Sequence, residues 1–227
     1  MNNKDFLFLM SMTVLFPFIS GLVRVRMISR LYRPFLLLIA TGVLSEIISR
    51  IAINKFRNNA VVLNIWSLTE CLLIIAQFYY WRYHSRTKRW YPYFGILCIG
   101  IWIWENLFFR NGFVEVGTVF RVSEAFILVI LSINEINYLL INDNKNLLKN
   151  ARFLICAGFL IFFLYQILLE GSMYISSQQQ NQQEGGITGR IIEVSSYINA
   201  FVNIIYGIAV WYIPKRTSLQ FKDRIEH

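Results

Sequence analysis

Residues 60–83, AVVLNIWSLTECLLIIAQFYYWRY, form an apolar run with a carboxylic acid, Glu70, near its middle. About 20 mostly apolar residues suffice to cross a bilayer as a helix. Asn64, Ser67, Glu70 and Gln77 recur at helical spacing, which puts them on one side of that helix. An ionisable side chain at such depth is costly and faces protein or water rather than lipid. The run therefore needs companions, and it predicts a helical bundle built around a polar interior.

Six further apolar runs supply them, at residues 5–23, 34–53, 92–109, 115–141, 151–174 and 187–214. The first is followed at once by Arg24, Arg26, Arg30 and Arg33 and by no A-x-A-like cleavage site, so it reads as a retained helix rather than a leader. Composition agrees: the chain is 56% hydrophobic and 15% charged, against about 25% charged in soluble domains. The expectation is an all-α, polytopic integral membrane protein, with residues 1–227 forming a single membrane domain of seven transmembrane helices. A polar, glutamine-rich stretch at 175–189 separates the last two runs and reads as a solvated loop.

The net charge of +9 could suggest nucleic acid. Its distribution argues against that partner and for the bilayer, because the basic residues cluster between apolar runs. If seven spans alternate sides, the loops after helices one, three and five and the tail together hold fifteen of the 22 Lys and Arg. The other side holds four, and Arg50, Arg121 and Arg190 fall within runs. The positive-inside rule then puts the N-terminus outside and the C-terminus in the cytoplasm of a cell-membrane, multi-pass protein. The basic inner loops would be the surface for a membrane or cytoplasmic protein partner.

With that orientation the polar residues of separate helices converge on one layer, in the outer half of the membrane. The candidate ligand-binding pocket is Glu46, Arg50, Asn64, Glu70, Glu105, Arg121, Glu124, Arg190, Glu193 and Asn199. Each charge at a helix centre costs roughly 2.5–3.5 kcal/mol on insertion scales. Several acids are tolerated more easily if they share a hydrated cavity or pair with the arginines. Glu46 and Arg50, four apart, can pair on one face, and Arg121 and Glu124, three apart, share another. The competing reading is structural, with acids and arginines acting only as interhelical pairs that fix register. The acids of this layer outnumber its arginines, which favours a pocket open to the outside.

LNIWSLTE, ending at Glu70, aligns loosely with GTVFRVSE, ending at Glu124, and ATGVLSE with CIGIWIWE. Helices two–three, four–five and six–seven thus read as three repeated helical pairs after a first helix.

Several chemistries are disfavoured. A retinal Schiff base needs a lysine in the seventh run, which has only Arg190. A membrane zinc hydrolase needs histidines within spans, and the two histidines, His84 and His227, lie outside them. There is no HExxH, GxSxG elbow or P-loop. Cys71, Cys98 and Cys156 lie inside apolar runs and read as small core residues. No metal, cofactor or catalytic set is expected, although whether the chain is an enzyme stays open. A small-ligand sensor or signalling protein acting with a partner fits best. A proton-coupled small-solute transporter or channel, working through Glu70 or Glu124, comes second. An intramembrane lipid-modifying enzyme using carboxylates comes third.

Overall fold

A computed structural model describes residues 10–82, 86–109, 116–142, 146–178 and 187–215. Among the described residues the chain is helical, and the one β-type pairing is an isolated antiparallel bridge between Ile28 and Lys215. Seven α-helices follow in order: α1 Leu15–Arg24, α2 Arg33–Phe56, α3 Ala60–Trp81, α4 Tyr91–Trp104, α5 Thr118–Asn142, α6 Ala151–Gln178 and α7 Ile187–Tyr212. A 3₁₀ turn, Met12–Val14, leads into α1, and a π-helical turn, Glu105–Phe109, prolongs α4.

Among the described residues five helical segments are long and apolar enough to cross a membrane: Arg30–Phe56, α3, α5, Ala151–Met173 and Val194–Tyr212. The solvent pattern of a soluble bundle is reversed. Leu37, Ile51, Phe126, Ile130, Leu168 and Phe201 point outward, while Gln77, Glu124 and Glu135 are fully buried. A helix with its apolar side outward and its polar side inward suits lipid, not water. The chain is a helical membrane protein.

Consecutive helices are neighbours, and α7 returns to pack on α1, so the seven close into a ring. The α5–α6 and α6–α7 faces are the most extensive. Helix α3 also touches α5, which leaves α4 on the periphery with Ile96, Leu97 and Leu107 exposed.

The helix ends are fixed by identifiable caps. Pro34 opens α2 with a residue that needs no intrahelical N–H partner. The next free N–H, that of Phe35, donates to Gln77 Oε1 at 2.9 Å, and Gln77 Nε2 donates to Leu31 O at 2.7 Å. At its other end α2 stops at Arg57, the one described non-glycine residue with positive φ, at 55°. Asn58 Oδ1 then accepts the Ala60 N–H at 2.8 Å, and Asn59 Nδ2 donates to Ser49 Oγ at 2.7 Å. These bonds close the α2–α3 turn within three residues.

One end of the bundle is basic. Buried Arg24 donates to the carbonyls of Val210 and Ile213, placing a cation on the last turn of α7, where the carbonyls lack intrahelical donors. Arg82 Nε meets Glu135 Oε2 at 2.8 Å and its guanidinium lies 3.6 Å from the Tyr138 ring centre. Arg152 stands over Trp81. Above these contacts sits an aromatic core, where Phe35, Phe78, Phe159 and Phe163 are fully buried and meet mainly edge to face. Cys71, Cys98 and Cys156 are free and buried in the core.

Candidate ligand cavity

A cavity of about 140 Å³ lies among the turn before α1 and helices α2, α3, α6 and α7. Its polar wall is Ser45 and Glu46 from α2, Glu70 from α3, and Asn199, Asn203 and Tyr206 from α7. Its apolar wall includes Trp66, Phe159 and Phe162. Ten residues separate Glu70 from the first residue of α3 and eleven from the last, so at 1.5 Å per residue Glu70 stands about 15 Å from either end. The cavity is therefore at mid-depth.

The helical repeat accounts for the α7 contribution. Asn199, Asn203 and Tyr206 are spaced four and three apart, which stacks them on one face. Two glycines let that face approach its neighbours. A Cβ on Gly158 would collide with the Tyr206 ring, and one on Gly207 with the Phe16 ring. Across the cavity, a Cβ on Gly42 would lie 3.5 Å from Trp66 and 3.9 Å from Val14, an ordinary contact.

The polar groups of the wall differ in how well they are satisfied. The Ser11 side chain hydrogen-bonds Glu46. Asn203 Nδ2 donates to Thr13 Oγ1 at 3.1 Å and, at 3.4 Å, to Asn199 Oδ1. The turn before α1 is thus stitched to both α2 and α7 beside the cavity. Glu70 has no hydrogen bond or ion pair to a described residue, although Arg121 lies within electrostatic range of it. The Asn203 carbonyl oxygen and the Tyr206 hydroxyl likewise have no partner among the described residues.

The ten residues read from sequence separate into groups. Glu46, Glu70 and Asn199 line the cavity. Asn64 and Glu105 meet elsewhere, at the start of α5. There Glu105 Oε1 and Oε2 accept the N–H groups of Val119 and Phe120, at 3.0 and 2.6 Å. Asn64 Oδ1 accepts the Gly117 N–H at 2.9 Å, and the Asn64 carbonyl accepts Trp102 Nε1 at 2.9 Å. This set satisfies N–H groups that a helix start leaves without partners. Arg121 pairs with Glu170 of α6 at 3.0 Å. Glu124 is fully buried, and neither of its carboxyl oxygens has a hydrogen-bond partner among the described residues. It is within electrostatic range of Glu70 and Arg121. Arg50 is exposed. Arg190 and Glu193 belong to the first two turns of α7, and their side chains lie outside the described residues, as does most of the glutamine-rich loop.

Sequence reasoning missed Tyr206 and Trp66 in the cavity, Ser11 as the partner of Glu46 and Glu170 as the partner of Arg121. Tyr206 had a usable signal, since it continues the Asn199–Asn203 spacing by one turn. Ser11 had none, because its partner Glu46 lies on another helix.

On the side facing the basic end the cavity stops at rings. Leu38, Ile39, Phe159 and Tyr206 form its boundary there, and Phe35 packs edge-on against both Phe159 and Tyr206, with centroids 6.3 and 5.4 Å apart. Phe78 continues the same cluster from α3. The arrangement can hold a small polar guest, and among the described residues rings fill the layer on this side of it.

The chain matches no family model, no curated protein and no solved structure.

Proposed function

We propose that the protein is a seven-span, single-domain membrane receptor for a small ligand, with its N-terminus outside and its C-terminus in the cytoplasm of the cell membrane. In this reading α1 and α4 also cross, and the ligand enters the mid-depth cavity. The basic cytoplasmic loops pass the change to a protein partner. The observation that supports it most is the pairing of an acid-lined cavity with a packed floor. Glu46, Glu70 and Asn203 offer polar groups to a guest, while Phe35, Phe78 and Phe159 fill the space between that guest and the basic end. A sensor needs a site with one entrance. A transporter needs a second, or a floor that opens.

A transporter is the second reading, favoured by Glu124. This fully buried carboxylate lies within range of Glu70 and makes no hydrogen bond to a described residue. Intramembrane acids of this kind recur in proton relays.

One pair of measurements separates the two. The protein is reconstituted into liposomes and into nanodiscs. The nanodisc sample is screened for saturable binding of small amines, alcohols and carboxylates by thermal unfolding. The liposomes are assayed for flux of the same compounds and of protons. The receptor reading expects binding without flux. Flux that Glu70→Gln or Glu124→Gln abolishes would replace it with the transporter.

The three-pair repeat belongs to the same proposal. Its support is uneven: α2 with α3 and α6 with α7 pack along broad faces, whereas α4 meets α5 over a smaller one and through the Glu105 cap.

A further inference from the structure

We infer that the cavity takes a small organic ammonium ion, held between the carboxylate of Glu70 and the aromatic wall. This rests on the reading of the cavity as a ligand site and adds to it the chemical class of the ligand.

Size sets the first limit. A cavity of about 140 Å³ is close to the 150 Å³ engineered cavity that admits benzene. The guest therefore has roughly six heavy atoms. That excludes peptides, nucleotides and lipid headgroups with their glycerol, and it leaves room to spare around a bare metal ion.

Charge sets the second. Among the described residues the wall contains two carboxylates, Glu46 and Glu70, and no lysine, arginine or histidine. An anionic guest would meet two like charges in a low-dielectric setting, where repulsion is strong. A half-buried carboxylate on a cavity wall also needs donors, because losing water without gaining hydrogen bonds is costly. Glu46 has one from Ser11, but Glu70 has none from the described residues. Asn203, only 5% exposed, donates its amide hydrogens to Thr13 and Asn199 and keeps its carbonyl oxygen without a described partner. Glu70 and the Asn203 carbonyl are both left wanting a donor, the Tyr206 hydroxyl beside them can turn to accept as well, and an ammonium group is a pure donor with three N–H bonds.

The rest of the wall sets the third. Trp66, Phe159, Phe162 and Tyr206 supply rings around the same space. Aromatic faces attract cations, and they do so best when the cation is desolvated, which favours an alkylated ammonium over a strongly hydrated metal ion. Hard metal ions such as calcium take six or more oxygen ligands. Much of this wall is hydrocarbon, and no group of three or more His, Cys, Asp or Glu among the described residues is placed to hold a metal.

The test uses full-length protein in nanodiscs at constant ionic strength. Thermal unfolding and isothermal titration are run with propylammonium, butylammonium and tetramethylammonium chlorides. Propanol, butanol, butyrate, sodium chloride and potassium chloride are run in parallel. The inference expects a saturable stabilisation by at least one alkylammonium ion and none by the matched alcohol, the carboxylate or the alkali salts. Glu70→Gln should weaken that binding about tenfold or more, because it removes the charge opposite a desolvated cation. Trp66→Leu should weaken it while keeping the charge, which guards against a Glu70→Gln variant that fails to fold. Stabilisation by the alcohols, the carboxylate or the alkali ions, without the ammonium ions, would overturn the ammonium assignment and leave a ligand site standing. Ammonium binding that survives both substitutions would place the guest elsewhere and overturn the inference. No saturable effect from any compound would overturn both the inference and the receptor reading.

Discussion

Glu105 Oε2 accepts the backbone N–H of Phe120 at 2.6 Å, so the end of α4 caps the start of α5 across a gap of 15 residues in the chain. The same carboxylate takes the Val119 N–H through its other oxygen. A helix start presents several N–H groups without intrahelical partners and a partial positive charge, and an anion satisfies both.

Glu105→Ala should therefore destabilise the protein by about 1.5–3 kcal/mol, the range for hydrogen bonds to a charged group. Gly117 is part of the same joint. A Cβ there would stand 3.0 Å from Glu105 Oε2 and 3.2 Å from its Cδ, so Gly117→Ala should push the carboxylate off the cap. The two substitutions should cost clearly less together than the sum of their single effects, since each breaks the same contact. Unfolding in mixed micelles checks this, and strictly additive losses would show that Glu105 and Gly117 act separately.

A second expectation concerns the basic end. Arg82 and Glu135 form a buried ion pair at 2.8 Å, with Glu135 fully buried. Removing one member strands the other charge, which typically costs 3–5 kcal/mol. Glu135→Ala should lose about that much. The double variant Arg82→Met with Glu135→Met should recover most of it, because an apolar pair of similar volume no longer has a charge to bury. Glu124 offers the contrast within the same helix. Its carboxyl oxygens have no hydrogen-bond partner among the described residues, so Glu124→Gln should leave stability unchanged or raise it. Unfolding midpoints for the four proteins would decide the matter, and equal losses at Glu135 and Glu124 would refute it.

Much of this architecture was legible in the sequence. The apolar runs at 34–53, 60–83 and 151–174 became α2, α3 and α6 because length and hydropathy alone demand helix in lipid. Helix α5 begins at Thr118 rather than at 115, since its start is set by Glu105 and Asn64 from other helices. The site was harder to read. Depth along each helix brought Glu46, Glu70 and Asn199 to one level, but depth does not say which way a residue faces around its helix. Asn64 and Glu105 turned to the α5 start, and Arg121, three residues from Glu124, found Glu170 on α6 instead. Such choices depend on which helices are neighbours, and an apolar exterior carries no mark of that.

The close approach of α6 and α7 makes a third prediction. The Tyr206 ring lies on Gly158 where any side chain would collide with it. Gly158→Ala should force the ring aside, with an overpacking cost of about 1–3 kcal/mol. Because Tyr206 lines the cavity, the displaced ring should also reduce the space open to a guest. Tyr206→Leu in the Gly158→Ala background should restore stability by removing the ring that clashes. Unfolding temperature together with xenon or small-ligand uptake would read both effects. A stable Gly158→Ala variant with unchanged uptake would mean that the helices separate freely.

The last prediction bears on α4, whose 14 α-helical residues are few for a crossing. The π-turn adds five more and carries the helical rod to Phe109. At 1.5 Å per residue, 19 residues give about 28 Å, close to the hydrocarbon thickness of roughly 30 Å. If α4 crosses, three helices separate Asn58 from Leu148 and the two lie on opposite faces. If it does not, two do and they share a face. Both residues are exposed, and the three native cysteines are fully buried, so single cysteines placed at 58 and 148 should dominate labelling. With the proposed orientation, Asn58→Cys reacts with a membrane-impermeant maleimide in intact cells, and Leu148→Cys reacts only after permeabilisation. The opposite pattern would invert the molecule. Equal reactivity at both sites before permeabilisation would remove α4 from the set of crossings, and with it the seven-span count.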